Sequence, residues 1–180
     1  MSTNRIVTGH DAAGLAELKR VGVPAGSEPF THTPGFAVSR IWHTRQAPLI
    51  EPTPLDEAAT LGSVLPGLGE TMALMVTFPP DAQLAEASID PQKAAEEFCA
   101  RAPGLAEAFE LDGSGYHTTQ TIDYGVIVEG EMLLDLGNGR EQPLRQGDVV
   151  VQVGTRHAWR NRSNRPARMF FVLIGAKHPA

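Results

Sequence analysis

Apolar and polar residues alternate most clearly between Tyr116 and Asn161, in YHTTQTIDYGVIVEGEMLLDLGNGREQPLRQGDVVVQVGTRHAWRN. Val, Ile, Leu and Thr fill short runs, and glycine-containing turns separate them at short, even intervals. This pattern predicts antiparallel strands closing into a barrel or sandwich rather than βαβ units. Gly137-Asn138-Gly139, between MLLDL and REQPL, is a hairpin turn, because Asn and Gly tolerate the positive φ of tight primed turns. Gly147-Asp148 and Gly154-Thr155 mark the next two corners.

Outside this stretch the pattern is sparser. Asn4 to Val21 reads as two short strands around the polar turn Gly9 to Gly14, and residues 22 to 35 read as loop. Phe36 to Thr44 alternates, which places Phe36, Val38, Arg40 and Trp42 on one face; Arg40 and Trp42 are candidate pocket-lining residues. The competing reading makes Trp42 core and Arg40 a paired residue at the rim. Gln46 to Gly69, with four prolines, is a loop wrapping the barrel, and Thr71 to Phe78 is an apolar strand stopped by Pro79-Pro80. Asp90 as N-cap and Pro91 at the first helical position predict a helix of about three turns that ends at Pro103-Gly104. Phe98 and Phe109 are the side chains expected to anchor this insertion, as a cover for the barrel mouth or as a dimer contact. Ala167 to Ile174 is a final, central strand whose Met169, Phe171 and Leu173 share a face. The chain thus divides into N-terminal strands and loop (1–80), a helical insertion (81–109, its helices around 90–109) and a barrel segment (110–175) within one domain, 1–180.

The polar positions on these strands carry the candidate chemistry. Side chains in a strand alternate faces, so His117, Thr119, Thr121 and Asp123 point one way. In RHAWRNR, His157, Trp159 and Asn161 share a face, and Arg156, Arg160 and Arg162 take the other. Arginines belong in water, so the first set faces inward. Two histidines and a carboxylate then converge from two strands, the donor set of an open 2-His-1-carboxylate site for Fe(II) or another divalent ion. The alternative is a metal-free pocket in which His117, Asp123 and His157 hydrogen-bond one another.

The same residues resemble the two motifs of the cupin superfamily. Its first motif has a His-x-His pair, a Glu, and a Gly seven residues after the Glu. Here His117 stands at the first His, Thr119 at the second, Asp123 at the Glu, and Gly130 at the spacing required. Its second motif is matched by Gly147, Gly154, His157 and Asn161, with Gln152 where Pro is expected. HTTQTIDYG, QVGTRHAWRN and PARMFFVLIG are similar to a subgroup of small single-domain bacterial and fungal cupins. The resemblance implies an all-β, double-stranded β-helix barrel of jelly-roll type and a homodimer. It also implies a metal site reduced from four ligands to three: His117, Asp123 and His157. Thr119 is a poor ligand, and Asp123 is one methylene shorter than Glu. A three-ligand site still suits catalysis, which needs open positions on the metal.

Composition narrows the partners. A net charge of -6 argues against nucleic acid or an anionic membrane surface. One cysteine, Cys99, excludes an intrachain disulfide and reads as an inert, partly buried thiol in a reducing compartment. No signal-peptide or membrane-span pattern is visible, which predicts a cytoplasmic protein. His178 lies in the tail and is expected to be uninvolved. Arg156, Arg160, Arg162, Arg165 and Arg168 read as a solvated edge that pairs with acidic groups across an interface.

Three functions remain open. The first is a metal-dependent enzyme (Fe, Mn, Zn or Ni); resemblance to other cupins implies oxygenase, decarboxylase, isomerase or lyase chemistry on a small organic acid or phenolic compound. Its catalytic and ligating residues would be His117, Asp123 and His157, in a pocket lined by Thr119, Thr121, Trp159, Asn161, Met169, Phe171, Arg40 and Trp42. The second is a metal-free acid–base enzyme with a histidine base steered by Asp123. The third is a small-molecule binding protein without catalysis.

Overall fold

The computed structural model describes residues 3–177. A hairpin of β1 (Arg5–His10) and β2 (Ala16–Gly22) precedes β3 (Ala37–Thr44) and β4 (Thr71–Phe78). Two helices follow, α1 (Asp81–Glu86) and α2 (Pro91–Arg101), then a 3-10 turn at Ala106–Ala108. The barrel segment supplies β5 (Thr121–Glu129), β6 (Glu131–Asp135), β7 (Glu141–Arg145), β8 (Val149–Val153), β9 (Ala158–Arg160) and β10 (Ala167–Gly175). The strands pair antiparallel, in the orders β3-β4-β10-β5-β8 and β7-β6-β9, with β1-β2 separate. The fold is all-β with a helical insertion, as the alternation predicts.

The central strand shows why. In β10 the residues Ala167, Met169, Phe171, Leu173 and Gly175 are buried, and those between them are only partly so. β10 pairs with β4 on one side and β5 on the other, so its inward row meets Met72, Leu74 and Val76 from β4 and Ile127 from β5. Gly125 stands opposite Phe171; a Cβ there would sit 2.9 Å from the Phe171 ring, so glycine makes room for that ring to turn inward. The turn at Gly137-Asn138-Gly139 has φ of 79°, 54° and 73°, the left-handed geometry its residue types predict.

β3 departs from simple alternation. Arg40 pairs with Leu74, but Trp42 pairs with Ala73 and His43 with Met72, because the register slips by one residue between Arg40 and Trp42. A one-residue bulge exchanges the faces of everything beyond it. Trp42 therefore leaves the barrel interior for a shallow cleft beside β1, and His43 turns inward. The expectation that Trp42 lines the barrel pocket is corrected on this ground.

α2 begins as predicted. The Asp90 side chain accepts hydrogen bonds from the amides of Gln92 (3.1 Å) and Lys93 (3.3 Å), and Pro91 occupies the first turn. At its other end, Arg40 donates to the carbonyls of Leu61 (2.9 Å) and Arg101 (3.2 Å). A guanidinium on a C-terminal carbonyl satisfies a group the helix leaves unpaired. Arg40 is thus a buried tie between β3 and α2 and not a ligand-facing cation. Phe98 packs against Phe30, Phe36 and Phe109 with ring centroids 5.4–5.5 Å apart, which seats the insertion on the barrel. No helix among the described residues is long and apolar enough to cross a membrane.

The arginines of the β9 region find their partners inside the chain. Arg156 pairs with Glu110, Arg160 with Asp135, Arg162 with Glu141 and Arg168 with Glu129. These four side chains thus have acidic partners within the chain. His178 lies outside the described residues.

Candidate functional site

A cavity of about 670 Å³ opens between the barrel and the helical insertion. Its barrel wall comes from β4, β5, β9 and β10 and its other wall from α1, α2 and the 3-10 turn, so the insertion covers the barrel mouth. The wall is strongly aromatic, with Phe36, Phe78, Phe98, Phe109, Trp159 and Phe171. Rings run almost continuously from helix to sheet. Phe98 touches Phe109 at 5.4 Å, Phe109 touches His117 at 4.6 Å, and His117 touches His157 at 4.3 Å between centroids.

The two histidines are placed by backbone. His117 and His157 form an isolated antiparallel bridge, the amide of each donating to the carbonyl of the other at 2.9 and 3.0 Å. Residues exchanging both bonds stand directly opposite, so their side chains emerge side by side. Each ring then meets a carbonyl two residues earlier. Nδ1 of His157 lies 2.8 Å from Thr155 O, and Nδ1 of His117 lies 3.3 Å from Gly115 O. A carbonyl oxygen can only accept, so Nδ1 carries the hydrogen and Nε2 keeps its lone pair. Burial pulls the His117 pKa down to about 4, helped by the neighbouring His157, and burial also lowers that of His157. Both rings are neutral at neutral pH.

Asp123 is the third polar group. It is 7 % exposed and lines the same cavity, and its Oδ1 has no hydrogen-bond partner among the described residues. Burial raises its pKa from 3.8 to about 6, opposed by the Thr121 hydroxyl. That hydroxyl is itself 2.7 Å from Thr119 Oγ1. No hydrogen bond joins Asp123 to either histidine among the described residues, so the carboxylate does not steer a histidine base. The backbone carbonyls of Gly115 and Thr155 do that orienting instead.

The expected ligand set needs the same care. His117 and His157 come together and Asp123 shares their cavity. Among the described residues, however, no group of three or more His, Cys, Asp or Glu side chains is arranged to hold a metal ion. The donor types suit a divalent cation, while the short Asp side chain on β5 is not gathered with the imidazoles.

Of the other residues expected at the pocket, Thr119, Trp159, Asn161 and Phe171 line it, and Thr121, Met169, Arg40 and Trp42 do not. Thr121 faces inward but is 2 % exposed, closed off behind its bond to Thr119. Met169 is fully buried in the core below Phe171. Asn161 is a structural clamp, since its Nδ2 donates to Phe78 O and Arg165 O at 3.0 and 2.8 Å, and its amide donates to Asp81 Oδ1 at 3.1 Å. Cys99 is exposed, on the helical rim of the cavity. Sequence reasoning missed Phe36, Phe78, Asp81 and Glu110 as wall residues. The apolar spacing of Ala94, Ala95 and Phe98 is the one local sign that α2 turns a face to the cavity.

The family model for the cupin domain matches residues 110–173. The chain is 52 % identical over 62 residues to phomopsin biosynthesis cluster protein C' of Diaporthe leptostromiformis, covering 34 % of this chain and 33 % of that one. It is 40 % identical over 67 residues to a cupin-domain-containing oxidoreductase of Hypocrea virens, covering 36 % and 34 %. The alignments thus span about a third of the length of these curated relatives. Among solved structures, the Cupin_2 domain of an XRE family transcriptional regulator from Enterobacter cloacae superposes with a TM-score of 0.40 at 17 % identity, covering 81 % of this chain and 99 % of that one. The segment that supplies β5 to β9, most of β10 and both cavity histidines is thus the part of the chain that matches the cupin domain model.

Proposed function

We propose that this protein is a small-molecule enzyme that moves a proton on a compound held in the aromatic cavity, with Asp123 as the acid–base group and His117 and His157 as its acceptors. The observation that carries this reading is the buried, unpartnered Oδ1 of Asp123, in the same cavity as two imidazoles that both keep Nε2 free of a proton. A carboxyl group whose pKa is about 6 can both give and take a proton near neutrality, where an ordinary Asp cannot. The histidines, being neutral, accept a hydrogen bond from the substrate and fix its position. The chemistry is of isomerase or lyase type, on a phenolic compound or a small organic acid. Likeness to fungal proteins described as cupin-domain-containing oxidoreductases supports an enzymatic role.

The test is hydrogen exchange. Compounds with acidic C–H groups are incubated with the protein in D₂O and followed by proton NMR. Catalysed deuterium incorporation is expected with the unmodified protein and should fall by about 10²-fold or more in Asp123→Asn. Incorporation that is equally fast in Asp123→Asn and His157→Ala would sink the reading.

A second reading is favoured by the histidine tautomers, since two Nε2 lone pairs directed to one cavity also suit a metal. His117 and His157, with Asp123 as third donor, would hold a divalent Fe, Mn, Zn or Ni ion. The ion would serve as Lewis acid or, as iron, as the O₂ site. Elemental analysis of untagged protein separates the two readings. Near-stoichiometric metal that disappears in His157→Ala would put the metal in place of the proton-transfer reading.

A further inference from the structure

The proposed chemistry leaves two substrate classes, organic acids and phenols, and the distribution of hydrogen-bonding groups in the cavity chooses between them. The ionisable groups at the polar end of the cavity, His117, His157 and Asp123, all present acceptors to it. His117 and His157 spend their N–H groups on backbone carbonyls, so each offers only Nε2 inward. Asp123 offers a free Oδ1. The hydroxyl of Thr119 is engaged with that of Thr121. Among the described residues no Lys or Arg lines the cavity; its charged residues there are Asp81, Glu110 and Asp123. Glu110 is held by Arg156 through bonds of 2.5 and 2.7 Å, and Asp81 Oδ1 accepts the Asn161 amide, whereas Asp123 keeps a buried oxygen without a partner among the described residues.

We infer that the cavity selects an uncharged aromatic compound carrying an O–H or N–H donor, and rejects carboxylates of the same shape. A carboxylate entering here would meet three acceptors and, among the described residues, no cationic side chain, with only neutral donors such as the Trp159 indole N–H to replace its water. A hydroxyl on an aromatic ring finds the reverse. Its hydrogen meets an acceptor, and its ring meets Phe98, Phe109, Trp159 and Phe171. A cavity of about 670 Å³ is of a size that accommodates a ligand of two or three fused rings.

This inference rests on the assignment of His117, His157 and Asp123 as the polar end of the site, but its test is binding and needs no turnover. The chain has two tryptophans, Trp42 and Trp159. In Trp42→Phe the remaining emission comes from Trp159 on the cavity wall, and its quenching reports occupancy. Three probes of one shape are compared: 2-naphthol, 2-methoxynaphthalene and 2-naphthoate. The naphthol is expected to bind about tenfold or more tighter than either of the others, and Asp123→Asn, which adds an amide donor, should narrow the gap to naphthoate. Naphthoate binding as tightly as naphthol, or no quenching by any probe, would overturn the inference. The probe series on the parent protein decides this even if the Asn variant folds poorly. Naphthol selectivity without deuterium incorporation into any compound would sink the enzyme reading and leave the ligand class standing. Catalysed exchange on a carboxylate would do the opposite.

Discussion

The cavity has two walls of different construction. On the barrel side, β10 is laddered to β4 and β5, and His117 is bonded through its backbone to His157, so the polar groups are fixed by main-chain hydrogen bonds. On the helical side no residue of α1 or α2 is buried. That wall is held by the Phe98 cluster, by Arg40 on Arg101 O, and by Arg101 on Pro29 O. A loosely packed element can open at a small fraction of the global stability, whereas a central strand opens only when the protein unfolds. The candidate site's polar groups therefore sit on the wall that holds still, facing a wall that can adjust.

The sharpest way to break this contrast is to weaken the rigid side. Met169→Ala removes a side chain with no exposure from the centre of β10 and is expected to cost about 2–5 kcal/mol, read as a lower urea midpoint at unchanged slope. A loss under about 1 kcal/mol would mean that the barrel wall is no better packed than the helices.

Next comes Asp123→Asn. The folded-state pKa of about 6 lies above the ordinary 3.8, so the folded protein holds this proton more tightly than the unfolded chain does. Stability from this group is therefore lost as pH rises between those values, and the ionised carboxylate costs on the order of 2–3 kcal/mol above them. His117 acts in the opposite sense. Its pKa falls from 6.5 to about 4, so its contribution is lost as pH drops through that window. The Asn variant should melt higher than the parent at about pH 8 and near the parent at about pH 3, with a steeper rise in between. A gain that is the same at every pH would remove desolvation of Asp123 as its cause.

On the adjustable side, effects should be smaller and local. Phe98→Ala is expected to cost about 1–2 kcal/mol, less than a fully buried ring, while speeding amide exchange across 81–109. Asp90→Ala should cost about 1 kcal/mol or less and show itself first at the amides of Gln92 and Lys93. If either change slowed or sped exchange in β5 and β10 equally, the two walls would be one cooperative unit.

What the sequence made legible follows the same division. Strand alternation, the Gly137-Asn138-Gly139 turn and the Asp90-Pro91 helix start are local patterns, and each appears where its residues predict. The inward row of His117, Thr119, Thr121 and Asp123 was legible by parity, and all four are buried. What escaped was set by remote partners. No local signal marks the bulge that sends Trp42 outward, because the slip is fixed by pairing with β4. Whether an arginine pairs with Glu110 or Glu141, or caps α2 as Arg40 does, depends on residues far along the chain. The separation of Asp123 from the imidazoles is likewise a matter of how β5 meets the 117–157 bridge, which residue spacing does not state.

That bridge has a wider consequence. Because the main chain alone sets positions 117 and 157 face to face, whichever two side chains are installed there will confront each other at the same spot in the cavity. The pair works as a socket with interchangeable fittings. A cysteine, a second acid or an aromatic ring could replace either imidazole without rebuilding the scaffold. New reactivity in this cavity is thus a problem of choosing two letters.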